Sequence, residues 1–187
     1  PTIADVKLSN KLLREARDFK DLAITVQSID PDKLCMTATS DAAWGNVKSK
    51  GEQEENLASQ AGYIVMAAHR DLLDGHLAQI TPLAWRSHTL KRKAASTLSA
   101  ESQAVGEAAA ITAWFRYLLV ESMYPETLNE MGSRWEDVTD QLEYGLVTDA
   151  KSIYDALTRP TSTASTISDK RTAIDLAIIR DELRRSK

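Results

Sequence analysis

The stretch Thr97-Leu98-Ser99-Ala100-Glu101-Ser102 opens a helix around which the rest of the chain is organised. Ser99 or Thr97 can cap its start, because a hydroxyl there accepts from the first free amides. From Ser99 to Glu121 there is no proline and a single glycine, Gly106. Ala104, Val105, Ala108, Ile111, Phe115, Leu118 and Leu119 recur at helical spacing and fall on one stripe. Glu101 lies on that stripe in the first turn, while Glu107, Arg116 and Glu121 lie off its centre. A carboxylate on the buried face of a helix is costly unless something compensates it. Two compensations are open: the helix dipole with a partner lysine, or a metal ion or second carboxylate site that meets Glu101 there.

Upstream of that helix the pattern changes from helical to alternating. Leu34 to Trp44 reads as a strand with Asp41 near its end, Ala61 to Ala67 as a second, and Pro82 to Arg86 as a third. Gly45 to Asn56 is polar and reads as a loop. The connections are too short for parallel crossovers, so the three strands form an antiparallel meander. Residues 1–30 read as an amphipathic helix, closed by the turn Asp30-Pro31-Asp32.

Downstream, Gly145-Leu146-Val147-Thr148-Asp149 reads as a short strand that ends in a carboxylate. Lys151 to Leu157 reads as a short helix, residues 159–168 as a Ser/Thr/Pro loop, and a last helix starts at Ser168 or Asp169. The connection at about 122–144 reads as an acidic surface insertion. A meander followed by strand, helix and helix predicts an α/β class, with a mixed sheet and helices packed on it.

At 187 residues the chain is one domain with an appendage, large enough to bury a real core. No apolar run is long enough to cross a bilayer, so no membrane partner is expected. Cys35 is the sole cysteine, which excludes an intramolecular disulfide and a cysteine zinc site. The net charge of −4 argues against a uniformly basic nucleic-acid binder. It hides a local basic segment, however: Arg86, Lys91, Arg92 and Lys93 with no acid between Trp85 and Ser96. A polyanion meets the local field. His69, His76 and His88 lack metal-ligand spacing and read as surface or loop residues. Trp44 and Trp85 read as core. No glycine-rich phosphate loop is present, so use of a nucleoside triphosphate is not expected.

Asp41 and Asp149 thus end two strands, Glu101 starts a helix, and Asp175 sits beside the apolar stripe of the last helix. Strand ends and a helix N-terminus can converge on one edge of an open sheet. Carboxylates gathered there repel each other. A pair of hard divalent cations, Mg²⁺ or Mn²⁺, relieves that repulsion and suits in-line attack on a phosphodiester.

These residues, in this order, resemble the ribonuclease H domain of copia-type retrotransposon polyproteins. Ser40-Asp41-Ala42-Ala43-Trp44-Gly45 looks like that family's S-D-x-x-W-G segment, and Ala61-Gly62-Tyr63 its S-G-Y strand. Leu83-Ala84-Trp85-Arg86-Ser87 resembles I-S-W-K-S, and Thr97 to Ser102 the A-L-S-S-T-E-A-E helix start. Trp114 to Leu119 resembles W-L-R-x-L-L, Thr148 to Ile153 resembles D-N-x-S-A-I, and Lys170 to Asp175 resembles R-T-K-H-I-D. The match spans residues 34–185.

The resemblance implies a ribonuclease-H-like fold over residues 31–187. It also implies a two-Mg²⁺ site held by Asp41, Glu101, Asp149 and Asp175, with Asp169 the rival of Asp175. The expected activity is hydrolysis of the RNA strand of RNA–DNA hybrids during reverse transcription, with Arg86, Lys91, Arg92 and Lys93 gripping phosphates. The expected partner is the reverse transcriptase domain of the same polyprotein, with residues 1–30 as the tether helix from it. A chain that begins at Pro1 is then expected to be a piece of a longer one. The setting is intracellular, in cytoplasm or a virus-like particle. A catalytically silent module of the same fold, or another two-metal nuclease on it, are the competing readings. The sequence departs from the family at Ala173, where histidine is usual, and in the length and acidity of the 122–144 connection.

Overall fold

The structure, a computed structural model, describes residues 2–48, 57–125, 140, 142–159 and 167–185. Its elements are α1 (Ile3–Asp18), β1 (Leu34–Lys48), β2 (Leu57–His69), β3 (Ile80–Thr89), α2 (Thr97–Met123), β4 (Tyr144–Val147), α3 (Lys151–Thr158) and α4 (Lys170–Arg185). The sheet order is β3-β2-β1-β4. β1 pairs antiparallel with β2, β2 antiparallel with β3, and β4 parallel with β1. The chain is therefore α/β with a mixed sheet, as the alternation of elements predicts.

α2 lies across β1 and β2. The core beneath it joins Met36, Ala38, Tyr63, Val65 and Ala108. A second cluster, Val105, Ile153, Leu176 and Ile179, glues α3 and α4 to the other side of α2. Alanines dominate the buried side of α2, which lets the helix approach both the strands and α4 closely. Gly106 continues that pattern: a Cβ there would meet Ile179 Cδ1 at 3.8 Å, an ordinary contact.

Several boundaries differ from the sequence reading. The first helix stops at Asp18 instead of reaching residue 30. Beyond it, Leu22-Ala23-Ile24-Thr25-Val26 carries β-branched residues that resist helix. No residue of α1 is buried. Farther along, the Gln27 amide donates to Thr81 Oγ1 at 2.9 Å, tying this segment to β3. The supposed loop from Gly45 is strand to Lys48, with a register shift between Ala43 and Val47. Gly45 has φ 63°, a conformation glycine adopts without strain. Residues 49–56 of that expected loop, and most of the acidic insertion, lie outside the described residues.

α2 is capped by Ser96, whose side chain accepts from the Ser99 amide at 3.1 Å, so neither Thr97 nor Ser99 is the cap. Asp169 caps α4, accepting from the Arg171 amide at 3.1 Å and from Thr172 Oγ1 at 2.6 Å. Trp44 and Trp85, expected in the core, are 53% and 60% exposed. Trp44 lies beyond the core position Ala42 and donates its Nε1 to the Ala94 carbonyl at 3.0 Å, and Trp85 pairs with Ile64, which is itself exposed. Among the described residues no helix is long and apolar enough to cross a membrane.

Candidate functional site

Glu101 sits in the second turn of a helix whose opening residues, Ser99 to Val105, are all buried. Glu101 is only 6% exposed and its Oε2 has no hydrogen-bond partner. Burial, then the charge of Asp41, then that of Asp149 push its pKa up to about 7, while a backbone hydrogen bond from Ala42 pulls the other way. The charged groups acting on it are the two aspartates, and no lysine is among them.

The strand register accounts for the pairing of the two aspartates. β4 runs beside β1 with Met36 opposite Tyr144 and Thr39 opposite Val147, a constant offset of 108 (144 − 36 = 147 − 39). Carrying that offset two residues further puts Asp149 next to Asp41. The chain bends at Asp149, and the Ala150 amide donates to Thr148 Oγ1 at 3.1 Å just before α3 begins. On the other side Asp41 pairs with Gly62 of β2, so no side chain crowds it from that strand. Asp41 on β1 and Asp149 just past β4, both exposed, thus lie near enough to the buried Glu101 for their charges to act on it.

Asp175 stands apart. Its carboxylate binds Arg92 Nη2 at 2.6 Å, which ties α4 to the basic loop before α2. The pair lines a cavity with Lys91, Ser102, Gln103 and Gly106. Asp169, the rival, is spent on its helix cap. Of the basic residues, Arg86, Lys91 and Lys93 are exposed, and Arg92 is half-exposed in its ion pair. Ala173 is buried at 5% exposure, so the position where the family carries histidine faces packing.

Two features escaped the sequence reading. His88 is largely buried and its Nε2 lies 2.8 Å from Glu107 Oε2, angled out of hydrogen-bond alignment. A histidine on β3 and a glutamate on α2 have no sequence spacing that announces this pair. Arg116, placed off the stripe by periodicity, is 1% exposed. Its only sequence signal was its position inside an otherwise apolar run.

Among the described residues no three His, Cys, Asp or Glu side chains gather closely enough to enclose one ion. The donor set still fits one chemically. An orphaned buried carboxylate oxygen beside two like charges is stabilised by a cation, and all-oxygen donors match a hard divalent one. Asp41 and Asp149 are exposed, which leaves their side chains room to turn toward such an ion. Comparison with protein-family models, with curated proteins and with solved structures finds no match.

Proposed function

We propose that this chain is a metal-dependent nuclease of ribonuclease-H-like fold that hydrolyses the RNA strand of RNA–DNA hybrids. The observation that carries the reading is the approach of Asp41 and Asp149 to a buried Glu101 whose Oε2 has no hydrogen-bond partner. The strand order and the ordered motif resemblance support it. Asp41, Glu101 and Asp149 would hold Mg²⁺ or Mn²⁺, with Asp175 the fourth expected ligand. Such ions, when bound, supply Lewis acidity toward a phosphodiester and charge to offset the carboxylates.

The chain's own residues do the rest. Glu101 is held by burial and by the Ala42 amide, so it presents a fixed oxygen. Asp41 and Asp149 are solvent-facing and can adjust to a ligand. Arg86, Lys91 and Lys93 offer exposed cations to phosphates, and Arg92 links that loop to Asp175. Such contacts position a duplex without reading its sequence. The 2′-hydroxyl would mark the RNA strand. The partner would be a reverse transcriptase domain of the same polyprotein, inside the cell or a virus-like particle.

Ala173 favours a second reading, a silent module of the same fold beside a polymerase, because no histidine is available there to move a proton. The test is cleavage with Mg²⁺ of matched hybrid and DNA duplexes. RNA cut in the hybrid and intact duplex DNA are expected. Equal cleavage of DNA would point to another two-metal nuclease. No cleavage, with Asp41→Asn leaving Mg²⁺ binding untouched, would leave the silent module.

A further inference from the structure

β4 is a weak link in the site. It has four residues, includes Gly145, and among the described residues is paired on one side only, with β1. A short edge strand has little to specify its register. Yet its register decides whether Asp149 arrives beside Asp41. A shift of two residues keeps every side chain on its own face and replaces Asp149 by Val147 or Lys151.

Something buried holds the entry to this strand. Arg116 projects from α2 and is 1% exposed. Its Nε donates to the Leu142 carbonyl at 2.7 Å. Its guanidinium carbon lies 4.6 Å from the centre of the Tyr144 ring. Nη2 lies 3.9 Å from Asp140 Oδ1, an ion-pair contact too long for a hydrogen bond. One side chain thus engages residues 140, 142 and 144, alternate positions leading into the strand. Just beyond, Met36 of β1 donates its amide to the Glu143 carbonyl at 2.9 Å. From the other side Leu73 Cδ2 fits against Gly145 so closely that a Cβ there would lie 2.6 Å from it.

α2 carries Glu101 near its start and Arg116 fifteen positions later, about 22 Å along the axis at 1.5 Å rise per residue. The geometry points to Arg116 as a positioning residue: from the helix that bears Glu101, it locks the register of β4 and so delivers Asp149 to Asp41. Lysine cannot replace it in full. A planar guanidinium holds a carbonyl and stacks on an aromatic face with a rigid fork of donors, whereas an ammonium is a point charge on a flexible stem and fixes neither contact as well. The register claim stands on strand geometry alone. The claim about metal rests on the proposed site.

Two cysteine pairs read the register directly. Thr39 and Val147 are opposite each other, so Thr39→Cys with Val147→Cys crosslinks the native register. Thr37→Cys with Val147→Cys crosslinks a strand slipped by two. In the parent chain the first pair should oxidise and the second should not. In Arg116→Met the first should slow and the second should appear. Mn²⁺ affinity, followed by electron paramagnetic resonance, should fall about tenfold or more, the scale on which residues behind the ligands tune a metal site. Closing the native-register disulfide in the Arg116→Met background should restore most of that affinity, a rescue that general destabilisation would not give. Arg116→Lys should lie between, and serves if Arg116→Met does not fold. Native crosslinking at the parent rate in both variants overturns the inference. So does a fall in affinity that the disulfide fails to rescue. If the parent binds no Mn²⁺, the proposed site is wrong, and the two crosslinks alone decide the role of Arg116. If the parent binds Mn²⁺ without cutting hybrid, the proposed activity is wrong and the inference keeps its full test.

Discussion

Two ionisable side chains are buried on one helix, and they are treated in opposite ways. Arg116, toward the C-terminal end of α2, has a carbonyl acceptor, an aromatic face, and acidic neighbours in Asp140 and Glu182. Glu101, near the N-terminal end, has one backbone amide, an orphaned oxygen, and two like charges. Around Arg116 the acidic neighbours work against the cost of burial, which still holds its pKa below the ordinary value. Around Glu101 the neighbouring charges add to that cost. A buried charge with matched partners organises structure. Groups perturbed by their own kind cluster at functional sites, and the proposed metal site draws on that.

The contrast is broken most severely at Asp41. Asp41→Asn keeps the shape and removes one of the negative charges acting on Glu101. Cleavage of hybrid should fall by about a thousandfold or more, equivalent to about 4 kcal/mol at 1.36 kcal/mol per decade. Metal-free thermal stability should hold or rise, since repulsion is relieved. Added Mg²⁺ should stabilise the parent more than the variant, by mass action. A variant that unfolds earlier without metal and keeps the parent response to Mg²⁺ would make Asp41 a structural residue.

Arg116→Ala should do the reverse and strike stability. Removing one partner of a buried charge cluster costs about 3–5 kcal/mol. Urea unfolding would measure it, and a decrease below about 1 kcal/mol, the scale of exposed pairs, would show that the cluster is not tightly coupled.

The pH dependence follows from Glu101. Its carboxyl titrates near 7 in the native state, above its ordinary 4.5. Between those values the native state binds more protons than the unfolded one, so stability falls as pH rises through that window. Metal-free protein should therefore melt lower at pH 8 than at pH 5, and Glu101→Gln should shrink that difference. Added Mg²⁺ should offset the loss at pH 8, because it favours the ionised form. A parent and a Glu101→Gln variant with the same pH profile would remove the electrostatic coupling.

The smallest expected effect lies in the basic loop. Replacing Arg86, Lys91 and Lys93 by alanine should flatten the salt dependence of hybrid binding. Each phosphate left without its cation should lower the slope by about 0.9, the value for a B-form duplex. Arg92→Ala should change the slope less, since its guanidinium is already engaged by Asp175. Equal slopes in parent and triple variant would make the loop an ordinary solvated one.

What could be read without coordinates was local. A 3.6-residue period put Glu101 on the inner face of α2, and alternation with short connections ordered β1, β2 and β3 as a meander. Asp149 was visible just past an apolar run that is β4, whereas Asp41, expected at the end of its strand, lies in the middle of β1 because the strand continues to Lys48. What only the tertiary structure decided depends on partners distant in sequence. Trp85 is exposed beside Ile64 of β2, itself exposed, and Trp44 lies beyond the core position Ala42 with its Nε1 donating to the Ala94 carbonyl, neighbours absent from either strand's own pattern. Arg116 is buried because Leu142, Tyr144 and Asp140 meet it with a carbonyl, an aromatic ring and an acid that can receive it. Asp175 faces Arg92 instead of Glu101 because α4 packs on the flank of α2. Periodicity states which side of an element is apolar. Which groups arrive from elsewhere to meet that side is set by packing, and the packing decided how each charge on α2 is satisfied.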